Sequence, residues 1–496
     1  MPVAFPGVGT TTPWLFGTAA LVARRGAGAG AKTGAWSWCS GLLVCGGLGM
    51  GVVSSAELVP GPGGGSAAAT VVPVVSVGTD GGGHDDDGIR VPLGVRPQGL
   101  DHPERWRFVP EDRLSGGAPP WRRLFVSAFA LPLVSFEEAT GTSLGVGMVD
   151  IEPFNTRRRQ ALGAFVRRST GGVEQYTGFW ALRTAHSDVP GGGVLYEERS
   201  SLIVSGGYQR NPVRRFFGFG ADTEAAAESS YTDEVGEAEV RLRRGLPTPD
   251  GPLDGFVSAS FQHRNVHAGI QPGVPSATTE FAGTTTAADG TSDTWIGTGL
   301  RYDLRDSEAN PYQGWTIAGE AKASTGGGGL AMGSAVWALS VPPLFHDGGA
   351  AARARLGPEE NPPTDVVAVG LQVQRAWGDV PFPDLPSLGG ADTLRGYLAD
   401  RFTDQASWHA SAEWRLWLVP RGVRFSERIR LERLGVAPFV DVGSVAAQVA
   451  ALPDATVRHS YGIGARVMWE RDLLFRLDVA RSPEQVGVNF QFGYSF

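Results

Sequence analysis

Cysteine is nearly missing from this 496-residue chain: Cys39 and Cys45 are its two, and both lie before residue 46. The rest of the chain therefore has no disulfide, zinc–thiolate centre or cysteine nucleophile. Charge is sparse as well, at 19 % of residues with a net of −8. No sustained basic block occurs, which argues against a nucleic-acid partner. Long apolar runs are lacking after residue 56, where none approaches the roughly 20 residues that a membrane-spanning helix needs. A membrane form of the mature chain must then be a closed barrel. The histidines of the body (His186, His263, His267, His346, His409 and His459) are scattered. They offer no metal-ligand spacing and no base beside a nucleophile on a neighbouring wall position, so no metal, no cofactor and no enzymatic activity is expected. His409 projects to the same side as Ser411 and Glu413, but along one strand.

Glycine is plentiful, with 71 residues. Residues 1–56 read as a signal peptide and N-terminal extension: Arg24, Arg25 and Lys32 form a basic region, Ala35 to Val53 an apolar one, and Ser54-Ser55-Ala56 a small-residue cleavage site. Residues 57–120 read as a low-complexity periplasmic linker, with GPGGGS and GGGHDDDG in its first part. Such composition buries too little apolar surface to offset its ordering entropy. His84 with Asp85, Asp86 and Asp87 reads as a solvated acidic run, because nothing there would hold metal ligands in place.

From about residue 121 to the end, one pattern repeats. Val488, Phe490, Phe492, Tyr494 and Phe496 alternate with Gly487, Asn489, Gln491, Gly493 and Ser495. Leu473, Phe475, Leu477 and Val479 alternate with Arg476, Asp478 and Ala480, and Tyr461, Ile463, Ala465, Val467 and Trp469 with Ser460, Gly462, Gly464 and Arg466. Upstream, Ala238, Val240 and Leu242 alternate with Glu237, Glu239, Arg241 and Arg243. A period of two means strands. Opposite charges recur on one face, while aromatics (Trp295, Trp315, Trp408, Trp469, Tyr494) are expected to cap the other near its ends. Segments of about ten residues, apolar outside and polar inside, describe a transmembrane β-barrel, whose closure satisfies every backbone group. The fold expected is all-β: an antiparallel barrel of about 16 strands over residues 121–496. Eleven segments begin near 124, 142, 158, 173, 196, 232, 253, 292, 313, 332 and 364, and five more near 407, 435, 459, 472 and 486. With both ends in the periplasm, the connection after the eleventh is an extracellular loop.

That loop carries GGADTLRGYLADRF, residues 389–402. A Leu, a Tyr and a Phe around an arginine on a glycine hinge suit the barrel interior better than water. Folded inward, Arg395 needs carboxylates, since an unpaired buried charge is costly. Alternation turns His409, Ser411, Glu413 and Arg415 inward, and Phe439, Asp441 and Gly443 likewise. Glu413 and Asp441 then lie on adjacent strands, where a guanidinium can bridge both. Gly396 permits close approach to the wall.

Leu394-Arg395-Gly396-Tyr397, Glu413-Trp414-Arg415 and Phe439-Val440-Asp441-Val442-Gly443 together resemble the signature series of the bacterial surface antigen superfamily, the BamA-, TamA- and FhaC-like outer-membrane barrels. Arg301-Tyr302-Asp303-Leu304-Arg305-Asp306 with Pro311 and Gly314 resembles the family's hairpin motif, and Arg215-Phe216-Phe217-Gly218-Phe219-Gly220 its glycine-aromatic segment. Phe496, with Tyr494, resembles the C-terminal aromatic signal for barrel assembly. The resemblance covers roughly residues 200–496. It implies a bacterial outer-membrane protein whose Arg395, with Gly396 and Tyr397, pairs with Asp441 and Glu413. It implies assistance to the insertion or transport of polypeptides, or of lipid. No recruiting periplasmic (POTRA) module is recognisable before residue 120, which points to a separate periplasmic partner. The bilayer, lipopolysaccharide and the outer-membrane assembly machinery for its own insertion complete the expected partners. The alternative is a structural or passive-pore barrel whose lumen the loop plugs.

Overall fold

The structure, a computed structural model, describes residues 106–114, 119, 127–137, 140–189, 192–197, 199–306, 308, 310–347, 364–419, 423–426, 429–469, 473–492 and 494–495. The expected signal peptide, the acidic run at 84–87 and most of the expected linker lie outside these residues. A short strand, β1 (Trp106–Val109), comes first. The barrel opens with β2 (Ala128–Glu137), β3 (Gly141–Asp150), β4 (Gln160–Ser169) and β5 (Glu174–Arg183). Two short strands, β6 (His186–Asp188) and β7 (Val194–Glu197), leave its wall. The wall resumes with β8 (Ser201–Phe216), β9 (Ser229–Leu246), β10 (Leu253–Ala268), β11 (Thr291–Asp303), β12 (Gly314–Ser324), β13 (Gly329–Val341) and β14 (Asp365–Trp377). The loop that follows contains two-residue strands β15 (Ser387–Leu388) and β16 (Phe402–Thr403). The wall ends with β17 (Ala406–Val419), β18 (Val423–Ser426), β19 (Ile429–Ala446), β20 (Arg458–Trp469), β21 (Leu473–Arg481) and β22 (Val486–Phe492).

Each wall strand pairs antiparallel with the next, and β22 pairs back to β2 to close the barrel. β18 extends the hairpin of β17 along β19, so the described residues form sixteen staves. The stave starts expected near 142, 173, 253, 292, 364, 407, 472 and 486 fall within a residue of those observed. Two shift further. The first stave begins at Ala128, and the fifth at Ser201, because Val194–Glu197 pairs with β1 instead of β5.

Alternation decides which face each side chain takes. Leu144, Met148, Val257, Ile296, Leu300, Ile317 and Trp337 are each more than half exposed on the outside. Between them Glu239, Arg241, Arg243, Asp254, Arg264, Glu413, Arg466, Arg476 and Asp478 are buried inside. An apolar exterior around a charged interior is stable only with lipid as the outer solvent. Among the described residues no helix is long and apolar enough to cross a membrane. Trp295 corrects the expected aromatic girdle. It points inward, is 2 % exposed, and lies 4.0 Å under the Lys322 ammonium. Its neighbour Ile296 takes the lipid face, so the strand is shifted by one residue from the aromatic-out reading.

The end of the expected linker is also corrected. β1, β7 and β6 form a three-stranded sheet outside the wall, at the barrel end where β2 begins and β22 ends. Trp106 and Leu195 are buried together there against Phe108, Ala185 and Val189, apolar surface that the Gly-rich stretch lacks. Glu111 fastens the segment to the β3–β4 turn. Arg157 donates to both its oxygens at 2.7 and 2.8 Å, and Gly193 N–H donates at 2.9 Å. The Arg157 contact first, then the Gly193 amide, hold the Glu111 carboxyl down at about 2. Phe154, Asn155, Arg157 and Arg158 in that turn all have positive φ. His186 Nε2 donates to Arg157 O at 2.8 Å, and Arg183 Nη1 to Arg158 O. A turn this strained persists because its surroundings over-determine it.

Candidate functional site: a loop locked inside the barrel

The loop of residues 378–405 does not stand in solvent but crosses the lumen. Its apolar residues supply one reason: Leu394, Tyr397 and Phe402 are buried with Leu388, Ala221 and Val445. Local geometry supplies another. Gly389 and Gly390 adopt φ of +120° and +89°, which side chains resist, and a Cβ on Gly389 would lie 2.1 Å from Leu398 O. Thr393 Oγ1 accepts from Gly389 N–H at 2.8 Å, and Tyr397 N–H donates to Leu394 O at 2.9 Å, so Arg395 heads a tight turn.

Arg395 is fully buried and meets four partners. Its Nε and Nη2 donate to the two oxygens of Asp441 at 2.9 and 2.8 Å. Nη1 donates to Glu413 Oε2 and Asp478 Oδ2, each at 3.3 Å, and Nη2 also to Ser411 Oγ at 3.2 Å. The guanidinium sits 3.3 Å over the Phe439 ring. Around it Arg466 bridges Glu413 Oε2 and Asp478 Oδ1 at 2.6 Å each, Arg415 Nε donates to Glu413 Oε1 at 3.1 Å, and Arg476 reaches both Asp478 and the loop residue Asp392. Four guanidinium groups thus face four carboxylates, and the cluster is neutral. A buried ionic cluster needs this balance, because any surplus charge bears the full desolvation cost.

Gly396 and Tyr397 serve the same approach. A Cβ on Gly396 would lie 2.7 Å from Arg481 C and Ser482 N, so only glycine lets the tip reach the β21–β22 turn. Tyr397 packs edge-on to Phe402 at 5.2 Å. The tip also touches the closing strand: Asn489 Nδ2 donates to Arg395 O at 3.1 Å, and a Cβ on Gly487 would meet that oxygen at 2.8 Å. Higher on the wall, Arg401 is clamped by Glu484 at 2.7 and 2.9 Å and by Thr223. The Arg215–Gly220 segment lies against the loop, with Gly220 N–H donating to Thr403 O at 3.0 Å.

The hairpin residues form a separate group at the barrel end where β2 begins, between β11 and β12. Arg305 donates in parallel to both Asp303 oxygens at 2.9 Å, and Asp306 Oδ1 accepts the Tyr312 and Gln313 amides at 2.9 and 3.4 Å. Pro311 is buried, and Gly314 has φ of +104° with Leu304 O where a Cβ would be. Tyr494 is corrected. β22 stops at Phe492, and Tyr494 leaves the lipid-facing series to lie inside the lumen, 6 % exposed. Its ring stacks under the Arg415 guanidinium at 3.3 Å and its hydroxyl donates to Asn310 Oδ1 at 2.6 Å. A phenol has a polar end that hydrocarbon cannot satisfy and this site can. Phe496 lies outside the described residues. Arg415 therefore stands between the two groups, on Glu413 above and Tyr494 below.

Sequence reasoning turned Arg415, Arg466, Arg476 and Asp478 inward by alternation but could not set their height, so their place in the Arg395 cluster went unread. His409 does face inward, and Ser411 Oγ donates to Asp441 Oδ1 at 2.6 Å, within the cluster.

Residues 195–496 match the model of the Omp85 superfamily domain. The chain belongs to the Omp85 superfamily. The resemblance read from LRGY and its companion motifs is borne out by that match, and an Omp85 barrel is an outer-membrane protein of the assembly and transport class. Among solved structures, the crystal structure of BamA from Haemophilus ducreyi lacking POTRA domains 1–3 is 14 % identical, with 74 % of this chain and 69 % of that one covered and a TM-score of 0.46. CdiB from Escherichia coli is 10 % identical over 82 % of this chain and 69 % of that one, with a TM-score of 0.49. CdiB from Acinetobacter baumannii is 12 % identical over 74 % and 59 %, with a TM-score of 0.43. No curated protein matches the chain.

Proposed function

We propose that this Omp85 barrel lets a polypeptide, or lipid, enter or cross the outer membrane through the seam between β2 and β22, with the loop tip holding that seam's inner side. The observation that carries the reading is the seam. Among the described residues two pairs close it, Phe136 with Phe490 and Glu137 with Asn489, whereas β2 and β3 share ten. A short, poorly paired edge is a template for an incoming strand. Asn489, one of the seam residues, also holds the Arg395 carbonyl, so release of the tip loosens the strand that bounds the opening. Arg395, Gly396, Tyr397, Glu413 and Asp441 are on this reading the lock. The part of residues 57–120 that precedes β1 is the linker, residues 1–56 are the export signal, and a separate periplasmic partner delivers the client. Lipopolysaccharide and the bilayer surround the barrel, and the outer-membrane assembly machinery inserts it.

The test is a disulfide across the seam, from Phe136→Cys with Phe490→Cys, formed in cells depleted of the native copy. Outer-membrane proteomes should lose client proteins in the oxidised state and regain them on reduction. Clients retained with the seam closed would remove the proposal. They would favour the second reading, a sealed structural barrel, which draws on the charge neutrality of the plug.

A further inference from the structure

The root of the loop is held by a different set of charges on the facing wall. Arg214 of β8 and Arg264 of β10 flank Asp233 of β9. Arg214 Nη1 donates to Asp233 Oδ2 at 2.8 Å, and Arg264 Nη1 to both Asp233 oxygens at 2.9 and 3.1 Å. Each arginine also reaches into the loop. Arg264 Nη2 donates to Asp384 Oδ1, while Arg214 Nη2 donates to Pro383 O at 3.2 Å and Asp400 Oδ2 at 3.4 Å. Asp400 has φ of +56°, and its other oxygen accepts from Ser387 Oγ at 2.7 Å, which pins the two arms of the loop together. All five charged side chains are buried. Phe382 fills the space beside them, 5.0 Å from the Phe216 ring and 4.9 Å from that of Tyr231.

The tip rests on β17, β19, β20, β21 and β22, and the root on β8, β9 and β10. Four staves separate the two sets on either side (β11 to β14, and β2 to β5), so the loop spans the lumen between opposite walls. We infer that Arg214, Asp233 and Arg264 form a second, independent anchor for the loop, through Asp384 and Asp400, and that the lumen opens only when root and tip are both released. This rests on the reading of the loop as a movable plug. The two anchors differ in what release leaves behind. Withdrawal of the tip strands Asp441 without a cation, whereas withdrawal of the root leaves Arg214 and Arg264 still sharing Asp233.

The experiment is single-channel conductance in planar bilayers with the full chain. The variants are Arg395→Ala, the loop-side pair Asp384→Asn with Asp400→Asn, and all three together, each first shown to run as a heat-modifiable barrel. Each single-anchor variant should stay close to the wild-type open probability. The triple variant should exceed either by on the order of tenfold or more. A root pair that opens as widely as the triple variant, or a triple variant no more open than Arg395→Ala, would overturn the inference. If the triple variant fails to insert, Asp384→Asn with Arg395→Lys is compared with its two single parents by the same criterion. Conductance reports the anchorage alone. A barrel that handles no client would show the same pattern, and the seam disulfide tests that question separately.

Discussion

Replacing Arg395 by alanine removes one side chain but strands one carboxylate in particular. Glu413 keeps Arg466 and Arg415, and Asp478 keeps Arg466 and Arg476. Asp441 keeps the Ser411 hydroxyl at 2.6 Å, the Ser460 hydroxyl at 3.3 Å and the amide of residue 395 at 3.2 Å, with no guanidinium. Loss of one partner from a buried pair costs about 3–5 kcal/mol, most of it the stranded charge. Removing that charge as well should therefore restore stability. Arg395→Ala with Asp441→Asn is expected to return to within about 1–2 kcal/mol of wild type, the scale of lost neutral hydrogen bonds. Arg395→Ala with Glu413→Gln should not recover, because Glu413 also serves Arg466 and Arg415. The double-mutant cycle is read from urea-unfolding midpoints of the detergent-solubilised barrel, with the temperature at which the compact SDS form is lost as a second measure. An Arg395→Ala barrel as stable as wild type would refute the account. So would rescue by Glu413→Gln in place of Asp441→Asn.

Gly396→Ala should reproduce the Arg395→Ala loss of heat resistance with all charges intact, because its Cβ would lie 2.7 Å from the Arg481–Ser482 backbone; an unchanged gel shift would contradict this. Tyr494→Phe removes the 2.6 Å hydrogen bond to Asn310 and should lower the unfolding midpoint by the equivalent of about 1 kcal/mol, while Tyr494→Ala, which also uncovers Arg415, should cost more. The Glu111 contact is pH-dependent. Its carboxyl falls from an ordinary 4.5 to about 2 in the folded chain, so the fastening is complete above about 4.5 and is lost as pH falls toward 2. A nitroxide on Asp112→Cys should become mobile across that window in the wild type, and be mobile already at neutral pH in Arg157→Gln.

Alternation along the chain was enough to make the wall. A strand's side chains switch faces every residue whatever its neighbours do, so Val240 and Leu242 outside, and Glu239 and Arg241 inside, follow from the sequence alone. The same rule turned Glu413 and Asp441 toward each other's side, and the apolar residues around Arg395 sent the loop after them. Three features did not follow. Trp295 lies inside because the register of β11 is set by its partners β10 and β12, not by its own composition. Trp106 belongs to a folded sheet because the surface that buries it comes from Leu195, distant in sequence. The second anchor joins Arg214 and Arg264 to Asp384 and Asp400, up to 186 residues apart. Period-two patterning fixes the face of a residue but carries no information on its height along the barrel or on which wall it will meet. Those depend on strand register and on the closure of the sheet, and only the tertiary structure decided them.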